Sequence, residues 1–417
     1  MRLRRIPPLD TAEHLFLALL RHADRPGEFR PAVEPDARDW LRIEGLATAH
    51  RLAGWLYDVY RDTGWFETAP ADFRDALRLQ YVQTDLLNRR LLRAGREATR
   101  ALNLAGITPV LLKGGVLMED GVTPPGRRVT ADIDLLVAEE ELPAADAALR
   151  DMGYTIDESG QSAAFYREHH FHHIYRDPRR PWTCLELHWG LSVPAMGVRL
   201  PIEAWRRRAV VHRGDGPVRA VFSPADFLLH LCLHTSLGRF GRLAQLLDIH
   251  TLLRHPGFRV DGEEFRDLAR YCRATLPAAA ALMLSRLFGD DPVREQLLDR
   301  LSPRPDMSSL MPLLRVENVL RRRMIDVSAI GRAVSLQRRD RRIDRWRYRL
   351  RQAWPSPADF GLDGHPQPTG LSITGRFFSW RGFLVLARME ISDRLARLGW
   401  ELLPRHAEDS GLPDTSA

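Results

Sequence analysis

Over its first hundred residues the chain repeats apolar side chains at helical spacing. Residues 11–23 present one apolar stripe, with Thr11 placed to cap it. A second helix is predicted over 39–62, where Leu41, Ile43, Leu46, Leu52, Leu56 and Val59 recur, and a third, rich in Leu, Ala and Arg, over about 71–104, stopping near Gly106. The pattern then shortens. Residues 107–112 form a compact apolar run suited to a buried strand, and 116–120 leave room for one or two helical turns. Thr123-Pro124-Pro125-Gly126 forces a loop, and 132–137 is the next strand. Residues 139–152 read as a helix ended by Gly153. One or two weaker strands are predicted within 154–175 and another over 182–188. Helical spacing returns at 224–237, opened by Ser223 and Pro224, and continues over 241–254, 262–272 and 276–288.

This order predicts an α+β protein with a small mixed-sheet core flanked by helical regions. The expected units are a helical N-terminal region (1–104), the sheet core (105–215), a helical domain (216–302) and an arginine-rich C-terminal extension (303–417). The extension would hold a Pro/Gly-rich linker over 354–370, an amphipathic helix over 377–403 and a polar tail.

Composition adds limits. A hydrophobic share of 44% and a charged share of 28% describe an ordinary globular chain. Cys184, Cys232 and Cys272 lie too far apart for a zinc ribbon or a CxxC motif and read as free thiols of a reducing compartment. The basic N-terminus lacks an apolar stretch of signal-peptide type, and no apolar run reaches the ~18 to 20 residues that cross a bilayer. A cytoplasmic location is expected. The net charge of +7 is concentrated: residues 321–351 hold twelve arginines against three aspartates, leaving the rest slightly acidic. A uniformly basic nucleic-acid binder would look different. Within that segment, arginines alternate with Trp346 and Tyr348, which suits RNA or an anionic membrane surface; a solvated helix with internal Asp–Arg pairs has the same composition.

Of 61 basic residues only Lys113 is a lysine. Its retention marks a place where the wide guanidinium of arginine does not serve. Lys113-Gly114-Gly115 lies between a strand and a helix, where backbone N–H groups can receive a phosphate; a simple tight turn is the other reading. The spacing fits neither a Walker loop nor a dinucleotide loop. In the strand Asp132-Ile133-Asp134-Leu135-Leu136-Val137 the two aspartates project to one side. Paired carboxylates repel unless a cation joins them, and Mg²⁺ takes one or two carboxylates with phosphate oxygens. A solvent-facing acidic edge would also carry this pattern. Glu186, between Leu185 and Leu187, is the best third acid, and His188 shares its face. In His169-His170-Phe171-His172-His173, His170 and His172 share a strand face and could touch substrate or phosphate. A zinc site would need further ligands.

These segments together resemble the uncharacterised bacterial nucleotidyltransferase family of the DNA polymerase beta-like superfamily. The likeness is carried by Leu111 to Leu117, Arg128, Asp132 to Val137 and Leu185 to Trp189, and runs from about residue 75 through 255 with Leu229 to His234 and Leu247-Asp248. The resemblance implies that Gly114 and Gly115 hold the triphosphate of a nucleotide such as ATP. Asp132, Asp134 and Glu186 would hold Mg²⁺, with Glu186 a ligand or a base, while Lys113 and Arg128 neutralise phosphate charge. The implied reaction is attack on the α-phosphorus by a hydroxyl of a small molecule, protein or peptide. One departure is plain: the superfamily usually carries Gly-Ser where this chain has Gly114-Gly115. A nucleotide sensor with a degenerate core that regulates a partner is therefore the alternative reading, and RNA-end chemistry using residues 321–351 is a third.

Overall fold

The computed structural model describes residues 2–5, 8–158, 163, 167, 170–191, 198–238, 240–301, 316–321 and 400–403. Within them the chain is α+β, as expected. A two-stranded antiparallel ribbon joins β1 (Arg2–Arg5) to β9 (Trp400–Leu403). The last four residues of the expected amphipathic helix are therefore strand. The rest of that segment, the linker, the tail and arginine-rich residues 322–351 lie outside the described residues.

Helix α1 (Thr11–Arg21) is capped by Asp10, one residue before the expected Thr11. The Asp10 carboxylate accepts the Glu13 N–H, and the Glu13 carboxylate accepts the Asp10 N–H. This reciprocal pair satisfies two helix-end donors that a threonine in the first turn would leave open. The single helix expected over 39–62 is two, α2 (Ala37–Ala49) and α3 (Ala53–Tyr60). The break falls at Arg51, whose φ of 59° lies in the left-handed region and turns the chain. A short α4 (Gly64–Thr68) precedes α5 (Ala71–Leu104), a 34-residue helix that runs as predicted to a turn at Gly106.

Seven strands form a mixed sheet in the order β4-β5-β6-β3-β2-β8-β7. They are β2 (Val110–Leu111), β3 (Ile133–Leu136), β4 (Thr155–Ile156), β5 (His172–Asp177), β6 (Arg180–His188), β7 (Val210–His212) and β8 (Arg219–Val221). Strand β6 runs parallel to central β3 and antiparallel to β5. The hairpin of β7 and β8 extends the sheet, β8 pairing with β2 in parallel. Three-residue strands carry too little alternation to be read from sequence.

Helix α6 (Lys113–Glu119) follows β2, and α7 (Leu142–Asp151) follows β3. Helix α5 covers one face and packs closely at Gly95, where an added Cβ would stand 2.9 Å from Ile133 Cγ2. After α8 (Ile202–Arg208) come α9 (Pro224–Leu237), α10 (Leu243–Arg254), α11 (Gly262–Tyr271), α12 (Thr275–Leu284), α13 (Pro292–Leu301) and α14 (Val316–Leu320). Ser223 caps α9 through the Asp226 N–H, with Pro224 in the first turn. The apolar core is continuous from α1 through the sheet into α9 to α13. His50 ties these parts by polar contacts as well, its carbonyl accepting the Ala244 N–H and its Nε2 lying 2.8 Å from the Leu320 carbonyl.

Candidate active site

Strand pleating decides what faces what. Ile133 and Leu135 turn toward the core, so Asp134 points to the opposite face. Register places Asp134 beside Glu186, with His188 two residues further along the same strand and His172 directly across from His188. Four polar side chains from three adjacent strands thus share one patch. His188 Nε2 lies 2.9 Å from Asp134 Oδ1 and 3.2 Å from Glu186 Oε2, and His172 Nε2 lies 3.9 Å from Glu186 Oε1. Asp132, one residue before β3, reaches the same cavity.

Lys113 enters this patch from the start of α6. Its ammonium is 2.5 Å from Asp134 Oδ1 and 3.9 Å from Glu186 Oε2. Its φ of 45° is a left-handed conformation that a side-chain-bearing residue adopts at a cost of about 1–3 kcal/mol, held by the surrounding contacts.

The charges are unevenly satisfied. Burial opposes ionisation of Asp134, but Lys113 and the hydrogen bond from His188 outweigh it and hold this carboxyl well below the usual range. Asp132 accepts no hydrogen bond from a described residue. Burial, followed by repulsion from Asp134 and Glu186, pushes its carboxyl up to about 7, and Lys113 and Arg128 offset only part of this. Burial works against a charge on His188, yet its bonds to Asp134 and Glu186 raise its affinity for a proton. His172 is the reverse: burial and then the neighbouring His188 keep it neutral.

Arg128 is held in place by two partners. Its Nε donates to both oxygens of Asp248, each at 3.0 Å, and another nitrogen donates to Thr130 Oγ1 at 2.6 Å. The guanidinium lies so close to Gly114 that a Cβ there would stand 2.1 Å from it. Gly114 lines the cavity. Gly115, expected beside the phosphates, is buried behind the cavity wall: its N–H goes to the Leu112 carbonyl, and an added Cβ would meet Leu111 at 2.8 Å. Close packing rather than ligand approach accounts for that glycine. His170, expected on the substrate side, also lies off the cavity, its ring stacked on Phe171 and edge-on to His172.

The cavity measures about 460 Å³ and is closed on its other side by α9 and α10. Sequence reasoning gave no role to the residues these helices bring. His230 and His234, four apart on one face of α9, look into the cavity; burial lowers both, His230 to about 3, and Gln245 bonds to His234. Asp248 was visible as the one acid within the apolar run Leu246-Leu247-Asp248-Ile249, and a lone acid amid apolar residues signals a buried partner.

A protein-family model described as uncharacterised nucleotidyltransferase matches residues 36–290. The chain belongs to this family. The match begins before and ends after the stretch suggested by the motifs, so α2 to α5 and α9 to α12 belong to the nucleotidyltransferase as much as the sheet does. No curated protein and no solved structure matches the chain. No helix of the described residues is long and apolar enough to cross a membrane.

Proposed function

We propose that the protein transfers a nucleoside monophosphate from a nucleoside triphosphate to a hydroxyl of an acceptor, with release of pyrophosphate. The observation that carries this reading is Asp132: a carboxylate without a described hydrogen-bond donor, beside two further acids, in a cavity at the foot of a helix pair. Such a carboxylate suits a cation. The donors are oxygens, which fits Mg²⁺ held by Asp132 and Asp134 with Glu186 completing the set. When bound, the ion would neutralise phosphate oxygens and stabilise charge in the displacement.

The chain's own residues supply the rest. Lys113 and Arg128 bring positive charge to the phosphates, Arg128 held at its post by Asp248 and Thr130. Gly114 keeps the wall between them thin. In the transfer, the acceptor oxygen bonds to the α-phosphorus as the bond to pyrophosphate breaks, and the hydroxyl proton passes to Glu186. The acceptor is a small molecule, a protein side chain or a peptide, and its place is at the junction of sheet and helices, where ligand sites favour.

In this reading Lys113 and backbone N–H groups stand in for the hydroxyl that Gly115 lacks. The first test is thermal unfolding with each nucleoside triphosphate, with and without Mg²⁺, followed by transfer of α-phosphate label. Saturation to ~100 times the dissociation constant adds roughly 2.7 kcal/mol. A Mg²⁺-dependent shift absent in Asp132→Asn, with label transfer, is the expected result. Nucleotide binding without transfer to any acceptor supplied as cell extract would turn the reading to a sensor. No shift with any nucleotide would end it.

A further inference from the structure

Beyond the three acids, the site holds a second set of donors. His172 and His188 are a cross-strand pair on β5 and β6, and Glu186 precedes His188 by two residues on the same face. One ligand atom from each, two imidazole nitrogens and a carboxylate oxygen, lies within 4.8 Å of the others. The closest approaches are 3.2 Å from His188 and 3.9 Å from His172 to opposite oxygens of Glu186. A four-coordinate metal with bonds of about 2.0–2.1 Å needs donors roughly 3.3 Å apart, a small side-chain adjustment from this arrangement. All three ride on paired strands of the sheet, so their spacing is fixed by backbone hydrogen bonds rather than by a loop. Two imidazoles and one carboxylate suit a borderline transition metal, whereas Mg²⁺ favours oxygen alone.

The geometry points to a His172–Glu186–His188 centre for a single transition-metal dication of the Zn²⁺ type, with an open fourth position, beside the Asp132–Asp134 position proposed for Mg²⁺. This rests on the transferase reading only in sharing Glu186 with it; the imidazole set stands by itself. To bind, His188 gives up the Nε2 proton now shared with Asp134 and presents the lone pair, and that proton leaves to solvent. Asp134 retains Lys113. The open position faces the cavity, where a water or a substrate oxygen would complete the coordination.

The test uses the full chain, stripped with chelator and titrated with Co²⁺ as a spectroscopic probe and with Zn²⁺ by calorimetry, in wild type, His172→Ala, His172→Gln and Asp132→Asn. Melting curves confirm that each variant folds. One equivalent of Co²⁺ with visible absorption is expected in wild type. Both His172 variants should lose the intense four-coordinate absorption and bind at least tenfold more weakly at that centre, while Asp132→Asn keeps the intense absorption. Loss of Mg²⁺-dependent nucleotide binding in Asp132→Asn reports separately on the transferase reading, so the two can fail independently. Stoichiometric binding unaffected by either His172 variant, or no stoichiometric binding in the wild type, would overturn the centre.

Discussion

Two carboxylates on the same sheet are treated in opposite ways. Asp177 ends β5 at the hairpin into β6, and arginines surround it: Arg179 donates from its backbone N–H and its Nε, Arg180 from its Nε at 2.7 Å, and Arg180 then continues to Glu97. Burial disfavours its charge, yet these bonds hold it at about 2. Asp132, at the mouth of β3, receives no such donor, and burial with two like charges raises it to about 7. One acid is completed by the fold; the other is left short of a partner. This difference is what the cation site proposed at Asp132 rests on.

The largest test of this contrast is in activity. Asp132→Asn should reduce label transfer by ~10²–10³-fold or more, because it removes a carboxylate proposed to hold the ion that neutralises the reacting phosphate. Asp177→Asn, which is remote from the cavity, should keep its transfer rate at temperatures well below its melting point. Equal losses in both would show that the contrast concerns folding alone.

A smaller effect is expected at Asp248, the partner of Arg128. Asp248→Asn keeps the shape but weakens the hold on the guanidinium, and kcat/KM should fall about 10- to 100-fold, chiefly through KM for the nucleotide. A change in kcat with KM constant would show that Arg128 acts elsewhere than on bound triphosphate.

Stability should then separate the two acids by the sign of their pH dependence. Ionised Asp132 is favoured in the unfolded chain, so metal-free protein loses stability as pH rises from about 4 to 7, by an amount on the order of 2 kcal/mol once its partial exposure is allowed for. Asp132→Asn should raise the melting temperature at pH 8 in chelator and give no gain at pH 4. An unchanged melting temperature at pH 8 would show that Asp132 is not under strain.

Asp177 gives the smallest effect and the opposite slope. Its lowered folded value stabilises fully above about pH 4, and that contribution is lost as pH falls through about 2. Arg179 is largely exposed, which limits the gain to about 1–2 kcal/mol. Wild type and Asp177→Asn should therefore differ in chemical denaturation at pH 7 and converge near pH 2; a constant difference would refute the assignment.

Much of this was legible beforehand, for physical reasons. Helix α5 was readable because 34 residues of amphipathic pattern leave little ambiguity, and α9 because Ser223 and Pro224 mark its start. Glu186 and His188 could be paired with Asp134 on paper because strand alternation fixes faces. Arg51, which breaks one expected helix into two, carries no local signal, since any residue but glycine is unlikely at positive φ on propensity alone. The cap was misplaced by one residue because Asp10 and Thr11 are both good cap residues, and only the Glu13 hydrogen bond chooses between them.

The sequence alone determined the α+β class, the acids and the lone lysine, because periodicity and charge are properties of neighbours along the chain. Tertiary structure decided that Lys113 meets Asp134, that Asp248 holds Arg128 from 120 residues away, and that Gly115 serves packing while Gly114 borders the cavity. Those contacts depend on strand register and on the approach of α10 to the sheet, both set by the burial of distant apolar surfaces against each other. No local pattern encodes which distant side chain arrives beside a given carboxylate; the packing of the whole core does.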